Sequence, residues 1–180
     1  HLNLDESLAV EAVTAGAGGS AFVRDSFITR NRFHGGQLGW AVARRAGRFD
    51  LDARVSVALG VTDQEVSIDG RRITEPAATT PGGLLAVGPA LGRFDRSRFA
   101  VAPEATVNLG CELSPGVRAF VGYNFLYWSD VARPGDQIDR AVDLSFVPGG
   151  PAVPFSGQQR PRPTLGSTDL WAQGVQFGLE

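Results

Sequence analysis

The 180-residue sequence contains a single cysteine, two histidines and no methionine. One thiol, that of Cys111, excludes an internal disulfide and any zinc site built from several thiolates. All basic residues are arginine, which we attribute to the base composition of the source genome. The formal net charge of -2 gives no electrostatic reason to expect a nucleic-acid partner.

Long hydrophobic runs are also missing. The hydrophobic fraction is 43% and the mean hydropathy is -0.04, and no apolar run approaches the roughly 20 residues of a membrane-spanning helix. A closed β-barrel escapes this test because only every second residue of its strands faces lipid. The 23 glycines, 11 prolines and 11 phenylalanines favour strands and turns over a helical bundle.

Strict alternation of apolar and polar residues predicts long strands with two distinct faces. The clearest runs are Phe49–Val61, Phe99–Leu113 and Val117–Trp128, and Pro103 predicts a local irregularity in the second of them. These runs exceed the 5 to 6 residues usual in soluble proteins and match the about 9 to 11 residues of a tilted membrane strand. Similar segments at 1–12, 37–45 and 169–180 bring the total to about six strands.

The connections between these strands alternate in length. Short turns are predicted near Gly47 and Pro115. Long loops are predicted between about Val13 and Phe33, Thr62 and Arg98, and Ser129 and Thr168. Such alternation is typical of a membrane barrel with short periplasmic turns and long external loops.

Alternation alone does not tell whether the apolar face points into a core or out to lipid. Strand length, the alternation of connections and aromatic residues near strand ends, namely Tyr127, Trp171 and Phe49, favour lipid. The opposite face would then line a polar lumen. The candidate lumen-facing residues are Asp52, Arg54, Glu104, Glu112 and Arg118. They could tune ion selectivity or pair across a filled interior.

Several segments, among them Thr29–Gly39, Phe120–Trp128, Val131–Arg140 and Trp171–Glu180, resemble the outer-membrane β-barrel proteins of planctomycete bacteria. The resemblance covers nearly the whole chain. It implies an all-β, antiparallel, up-and-down transmembrane barrel in the bacterial outer membrane, with no assigned substrate. Members of that family carry further strands upstream of residue 1 and continue past residue 180.

We therefore expect residues 1–180 to be the C-terminal portion of one outer-membrane barrel domain. About six strands fall short of the 8 or more of single-chain bacterial barrels, so upstream strands or another chain must complete the wall. The expected partners are outer-membrane lipid and, as alternatives for closure, a second copy of the chain or another envelope protein. No signal peptide is visible at residues 1–6.

No constellation of residues predicts catalysis or a cofactor. The only imidazoles belong to His1 and His34, and His34 fits a rim position beside two glycines. Asp130, Asp136 and Asp139 do not have the spacing of a calcium loop. We predict a passive pore or structural shell that is not an enzyme. The alternatives are a soluble, lipocalin-like binding module and a barrel hydrolase that would depend on His34.

Overall fold

The computed structural model describes residues 1–16, 19–74, 78–147, 154–155 and 157–180. Its strands are β1 (Leu2–Gly16), β2 (Gly19–Ala46), β3 (Phe49–Thr74), β4 (Ala78–Pro81), β5 (Gly92–Ser114), β6 (Val117–Val131) and β7 (Thr168–Leu179). Three short 3₁₀ helices lie at Gly88–Ala90, Pro134–Gln137 and Leu144–Phe146. Within the described ranges, no helix is both long enough and apolar enough to cross a membrane.

The strands form one antiparallel sheet in the order β1-β2-β3-β5-β6-β7, and the short β4 pairs with the end of β3. Six long strands therefore follow each other up and down. The predicted all-β, antiparallel fold with about six strands is confirmed.

Tight turns join β2 to β3 and β5 to β6 at one end of the sheet, the turn end. Gly47 has a φ of 63° and Gly116 a φ of 85°, values that glycine adopts without a steric penalty. Both short turns predicted from the sequence are confirmed. The remaining connections lie at the opposite end, the loop end.

One face of the sheet is concave. Trp128 Nε1 on β6 donates to Thr62 Oγ1 on β3 at 2.9 Å, although β5 lies between these strands. Strands two places apart are about 9.6 Å from each other, so such contacts need a sheet that curls toward the side chains. We call this side the inner face and the opposite side the outer face. The sheet thus resembles half of a barrel wall.

Two of the predicted long loops are wrong. Strand β2 has 28 residues and β3 has 26, and residues 21–33 of β2 pair with residues 62–74 of β3. The segments expected as loops therefore continue the sheet. In the described part of the second expected loop, only residues 82–91 lie outside the strands. The third expected loop is confirmed as a long connection, and its residues 148–153 and 156 lie outside the described ranges.

The polarity of the two faces reverses along the strands. Toward the turn end, large apolar side chains are exposed on the outer face. This apolar band comprises Leu38, Trp40, Val42, Phe49, Leu51, Val55, Val57, Leu59, Val61, Phe99, Val107, Leu109, Val121, Tyr123, Trp171, Val175, Phe177 and Leu179. Beyond Val61 the outer face of β3 carries Asp63, Glu65 and Asp69 instead, while the inner face becomes buried. We call this second part the loop-end half.

The core of the described chain lies on the inner face of the loop-end half. One cluster of buried residues contains Phe27, Val66, Ile68, Ala86 and Ala132, and a second contains Phe33, Ala100, Ala102, Trp128 and Val131. Phe33 and Trp128 meet edge to face with ring centroids 6.1 Å apart. Because Ala86 and Ala132 belong to the connections, the loops fold back against the wall.

The irregularity expected at Pro103 appears on one side of β5 only. Pro103 keeps its register opposite Val57 of β3, whereas the pairing with β6 begins one residue later, at Glu104. Beyond that point, Val101 N donates to the Ser129 side chain at 2.9 Å. The missing donor of proline is thus placed where the β5–β6 ladder has already ended.

Candidate functional site

The five charged residues selected from the sequence all lie on the inner face, at the level of the apolar band. Asp52 and Arg54 are on β3, Glu104 and Glu112 on β5, and Arg118 on β6. Along each strand these residues alternate with the exposed apolar residues, and they therefore lie on the opposite face. That this face lines a lumen stays a prediction.

Arg118 connects three strands near the turn end. Its Nε and Nη2 donate to the two carboxylate oxygens of Asp50 on β3 at 3.0 and 2.5 Å, and its Nη1 donates to Glu180 at 2.8 Å. A two-point arginine–carboxylate contact fixes the orientation of both groups. Beside it, Arg45 of β2 donates to Glu112 at 2.5 Å. Ion pairs therefore tie the inner face together across β2, β3, β5, β6 and the end of β7.

The other three selected residues do not join this network. Arg54 Nε lies 3.5 Å from Asp52 Oδ1, with 70% of the Arg54 side chain exposed. Glu104 makes no hydrogen bond or ion pair with any residue that the structure describes. They line an open depression of about 520 Å³ together with Gln37, Ser56, Thr106 and Asn108. This depression is an open polar surface that carries charges of both signs.

Three members of the ion-pair network were not selected from the sequence, namely Arg45, Asp50 and Glu180. Each lies next to a turn or at a strand end, where alternation carries little information. Asp50 is two positions from Asp52 on β3, so alternation along the strand places it on the same face, and this spacing could have identified it. The pairing itself depends on strand register, which a single sequence does not give.

Polar side chains also hold the loops against the loop-end half. Asp25 is 1% exposed, and its Oδ2 accepts hydrogen bonds from the backbone N–H groups of Leu84 at 3.1 Å and Leu85 at 2.9 Å. A Cβ at Gly83 would overlap Asp25, so only glycine permits this approach. The connection at 82–91 is thus fixed to β2 near its loop end.

The connection after β6 has its own anchors. Asn31 exchanges two hydrogen bonds with the backbone of Ala132, and the guanidinium of Arg133 binds the carboxylate of Glu6 at 2.7 and 3.1 Å. The hydrogen bonds that Arg133 donates to Glu6 raise the pKa of Arg133 above its ordinary value. Glu6 interrupts an apolar inner face of β1, and this contact explains why.

Farther along the same connection, Asp139 organises the chain. Its carboxylate accepts hydrogen bonds from Ala141 N at 2.9 Å, Arg162 N at 3.0 Å and the Arg160 guanidinium at 3.0 Å. Burial raises the pKa of Asp139, but these hydrogen bonds together outweigh it and hold the pKa below the ordinary value. The carboxylate is therefore a structural acceptor.

No group of three or more His, Cys, Asp or Glu side chains in the described part of the chain is placed to hold a metal ion. Asp130 and Asp136 serve the connection as well: Asp130 accepts from Ser167 Oγ at 3.1 Å, and the backbone oxygen of Asp136 accepts from Thr164 Oγ1 at 2.5 Å. The Asp130 carboxylate is therefore occupied in a loop contact, whereas at Asp136 the contact is made by the backbone.

A known protein family matches this chain. The model of the family described as "Putative beta barrel porin-7 (BBP7)" matches residues 1–180. No curated protein and no solved structure matches the chain. The half-barrel sheet, with its exposed apolar band and polar inner face, agrees with this family model. The chain therefore belongs to the beta barrel porin-7 family and is a porin-like β-barrel.

Proposed function

We propose that residues 1–180 are the C-terminal portion of one passive barrel domain in the bacterial outer membrane, and that this barrel is a structural shell without catalytic activity. The observation that carries the proposal is the reversal of polarity between Val61 and Thr62 of β3. The outer face of β3 exposes apolar side chains on one side of this point and mainly charged ones, with Ile73 near the end of the strand, on the other. A strand that passes from lipid into water has this pattern.

The height of the apolar band supports a location in the membrane. At about 3.3 Å per residue and a tilt of about 40°, the run Phe49–Val61 rises about 30 Å along a barrel axis. The hydrocarbon core of a bilayer is about 30 Å thick. Within the band, the polar side chain of Gln173 accepts a hydrogen bond from the Tyr123 hydroxyl at 2.7 Å. This contact lowers the cost of placing an amide there.

The loop-end half supports an extension into water on the external side. Ion pairs cover its outer face, including Arg30 with Glu65 at 3.0 Å and Arg71 with Asp69 at 3.0 Å. Strand β3 continues through Thr74, well beyond the apolar band. The wall of the barrel would therefore stand clear of the bilayer by roughly the thickness of the bilayer core.

The filled inner face of the loop-end half favours a shell over an open pore. Both described connections at this end pack against the wall through buried apolar clusters and through Asp25 and Asn31. A pore remains the second candidate, because the depression beside Asp52, Arg54 and Glu104 is open and charged. Planar-bilayer recording separates the two: folded, inserted protein without current supports the shell, and steady conductance supports the pore.

The soluble, lipocalin-like alternative loses support at the turn end. A soluble binding barrel places its apolar residues inside, around the ligand. Here Leu38, Trp40 and Phe177 lie on the outer face, and each is at least 70% exposed. The same face would be a large aggregation-prone surface in water.

Membrane fractionation tests the proposed location. The protein should sediment with the outer membrane, need detergent for extraction and migrate differently on gels before and after heating. A protein that stays in solution without detergent would contradict the proposal. Outer-membrane lipid is then the main partner, and further strands, a second copy or another envelope protein would complete the wall. The resemblance to planctomycete barrels supports a planctomycete source.

A further inference from the structure

The only two histidines of the sequence meet on the outer face, although they are far apart in the chain. Leu2 pairs with Phe33 in the β1–β2 ladder, so the next position along the ladder places His1 opposite His34. The two Nδ1 atoms are 3.2 Å apart, and the ring centroids are 4.4 Å apart with the planes inclined by 44°. Both side chains are exposed.

We propose that His1 and His34 form a two-imidazole site for a borderline divalent transition metal, of which Cu²⁺ and Zn²⁺ are the representatives. A zinc–imidazole bond is about 2.0 to 2.1 Å long. Two nitrogens 3.2 Å apart can both reach such a distance from one ion with an angle of about 100° at the metal, close to tetrahedral. Small rotations of the exposed rings suffice to turn both lone pairs toward the ion.

The backbone beneath the site is held in place. His34 precedes Gly35, and a Cβ at Gly35 would lie 2.4 Å from the backbone oxygen of Leu59 and 2.9 Å from the Cα of Gly60. Strands β2 and β3 are therefore in close contact on the inner face directly behind His34. A fixed backbone at His34 suits a chelating residue, because little backbone order must be gained on binding.

The surroundings determine which ions fit. Mg²⁺ and Ca²⁺ require oxygen ligands, whereas imidazole nitrogen suits Zn²⁺ and Cu²⁺, and Cu²⁺ binds more tightly of the two. His34 pairs with Val61, the last residue of the apolar band on β3, so the site lies at the border between apolar and charged outer surface. Water from the charged side can supply the remaining ligands. The site is independent of whether the barrel is a pore or a shell.

Titration with CuCl₂, ZnCl₂ and MgCl₂ tests the proposal on folded protein in detergent. The protein should carry no polyhistidine tag and should have several residues before His1, so that no α-amine lies beside the imidazole. We expect one Cu²⁺ per chain, no binding of Mg²⁺, and an electron paramagnetic resonance spectrum with hyperfine splitting from two nitrogens. His34→Gln and His1→Gln should each weaken Cu²⁺ binding at least about tenfold.

Arg32→Gln, two residues from His34 on the same face of β2, is the matched control and should keep wild-type affinity. Gel migration before and after heating shows whether each variant is folded, and His1→Gln changes a residue outside both core clusters. Wild-type Cu²⁺ affinity in folded His1→Gln or His34→Gln protein would overturn the proposal. A spectrum without two coupled nitrogens would overturn it as well.

Discussion

Asn31 and Ala132 exchange two hydrogen bonds across 101 residues of sequence: Asn31 Nδ2 donates to Ala132 O at 2.9 Å, and Ala132 N donates to Asn31 Oδ1 at 2.8 Å. Both residues are fully buried. The Asn31 amide thus satisfies both backbone hydrogen-bonding groups of Ala132, as a neighbouring strand would do. It fixes the start of the connection between β6 and β7 to the inner face of β2.

Asn31→Ala should release this connection. Removing the amide leaves a buried N–H and C=O without partners, at a cost of about 2 to 4 kcal/mol. Limited trypsin digestion of folded protein should then cut after the exposed Arg140 much faster than in the wild type. Asn3→Ala, an exposed residue on the outer face of β1, is the control. Equal digestion rates for Asn31→Ala and wild type would show that the anchor does not hold the loop.

The hydrogen bonds to Asp139 predict a dependence on pH. Its pKa is lowered in the folded protein relative to the value of about 3.9 in an unfolded chain. Its contribution to stability is therefore complete above about pH 5 and is lost as the pH falls below about 4 through the folded pKa. Hydrogen exchange at the Ala141 and Arg162 amides, corrected for intrinsic rates, should accelerate in that window. Asp139→Asn should remove the pH dependence. Unchanged protection of these two amides in the wild type down to pH 2.5 would contradict this role of Asp139.

Gly60→Ala should destabilise the wall where its polarity reverses. A Cβ at residue 60 would lie 2.1 Å from the His34 carbonyl oxygen and 2.5 Å from the Gly35 Cα, and backbone atoms cannot move aside. We expect the free energy of unfolding, measured by urea denaturation in detergent or lipid, to fall by at least about 1 to 3 kcal/mol. Gly174→Ala in β7, where a Cβ meets nothing within 4 Å, is the matched control. Equal stability of both variants would refute the close approach of β2 and β3.

The sequence predicted the turn-end part of the sheet well, for a physical reason. Between Phe49 and Val61 one face is uniformly apolar and the other is polar or small, so the period of two is plain. The sequence predicts this strand only as far as Val61, because beyond it Thr62 and Gln64 share the buried face with Val66 and Ile68. Mixed composition on both faces hides the alternation.

The candidate site was predicted in part for a related reason. Phase along a strand places Asp52, Glu104 and Arg118 on one face, as the structure has them. Partners depend on register and curvature, as the contact between Arg118 and Asp50 shows, since β5 lies between their strands. The meeting of His1 with His34 likewise follows only from the register of β1 and β2.

Charge placed on the two faces should have opposite consequences. Val57→Arg would put a guanidinium into the middle of the apolar band, which costs about 2 to 4 kcal/mol in lipid. Glu104→Arg, on the inner face opposite Ser56 and so one position from the level of Val57, points into the open depression and should be tolerated. Folding yield into lipid vesicles, read from gel migration, is the measurement. Equal yields for the two variants would argue against a lipid-facing band.

Contact between the apolar band and lipid can be measured by tryptophan fluorescence, because the chain has a tryptophan in the band and another in the core. Trp40 is 70% exposed on the outer face, whereas Trp128 is 2% exposed on the inner face. Single-tryptophan variants, with the other tryptophans replaced by phenylalanine, are folded into vesicles of lipids brominated on their acyl chains. We expect strong quenching of Trp40 fluorescence by bromine, with little quenching of Trp128. Trp40 fluorescence that resists brominated lipid but is quenched by aqueous acrylamide would contradict it.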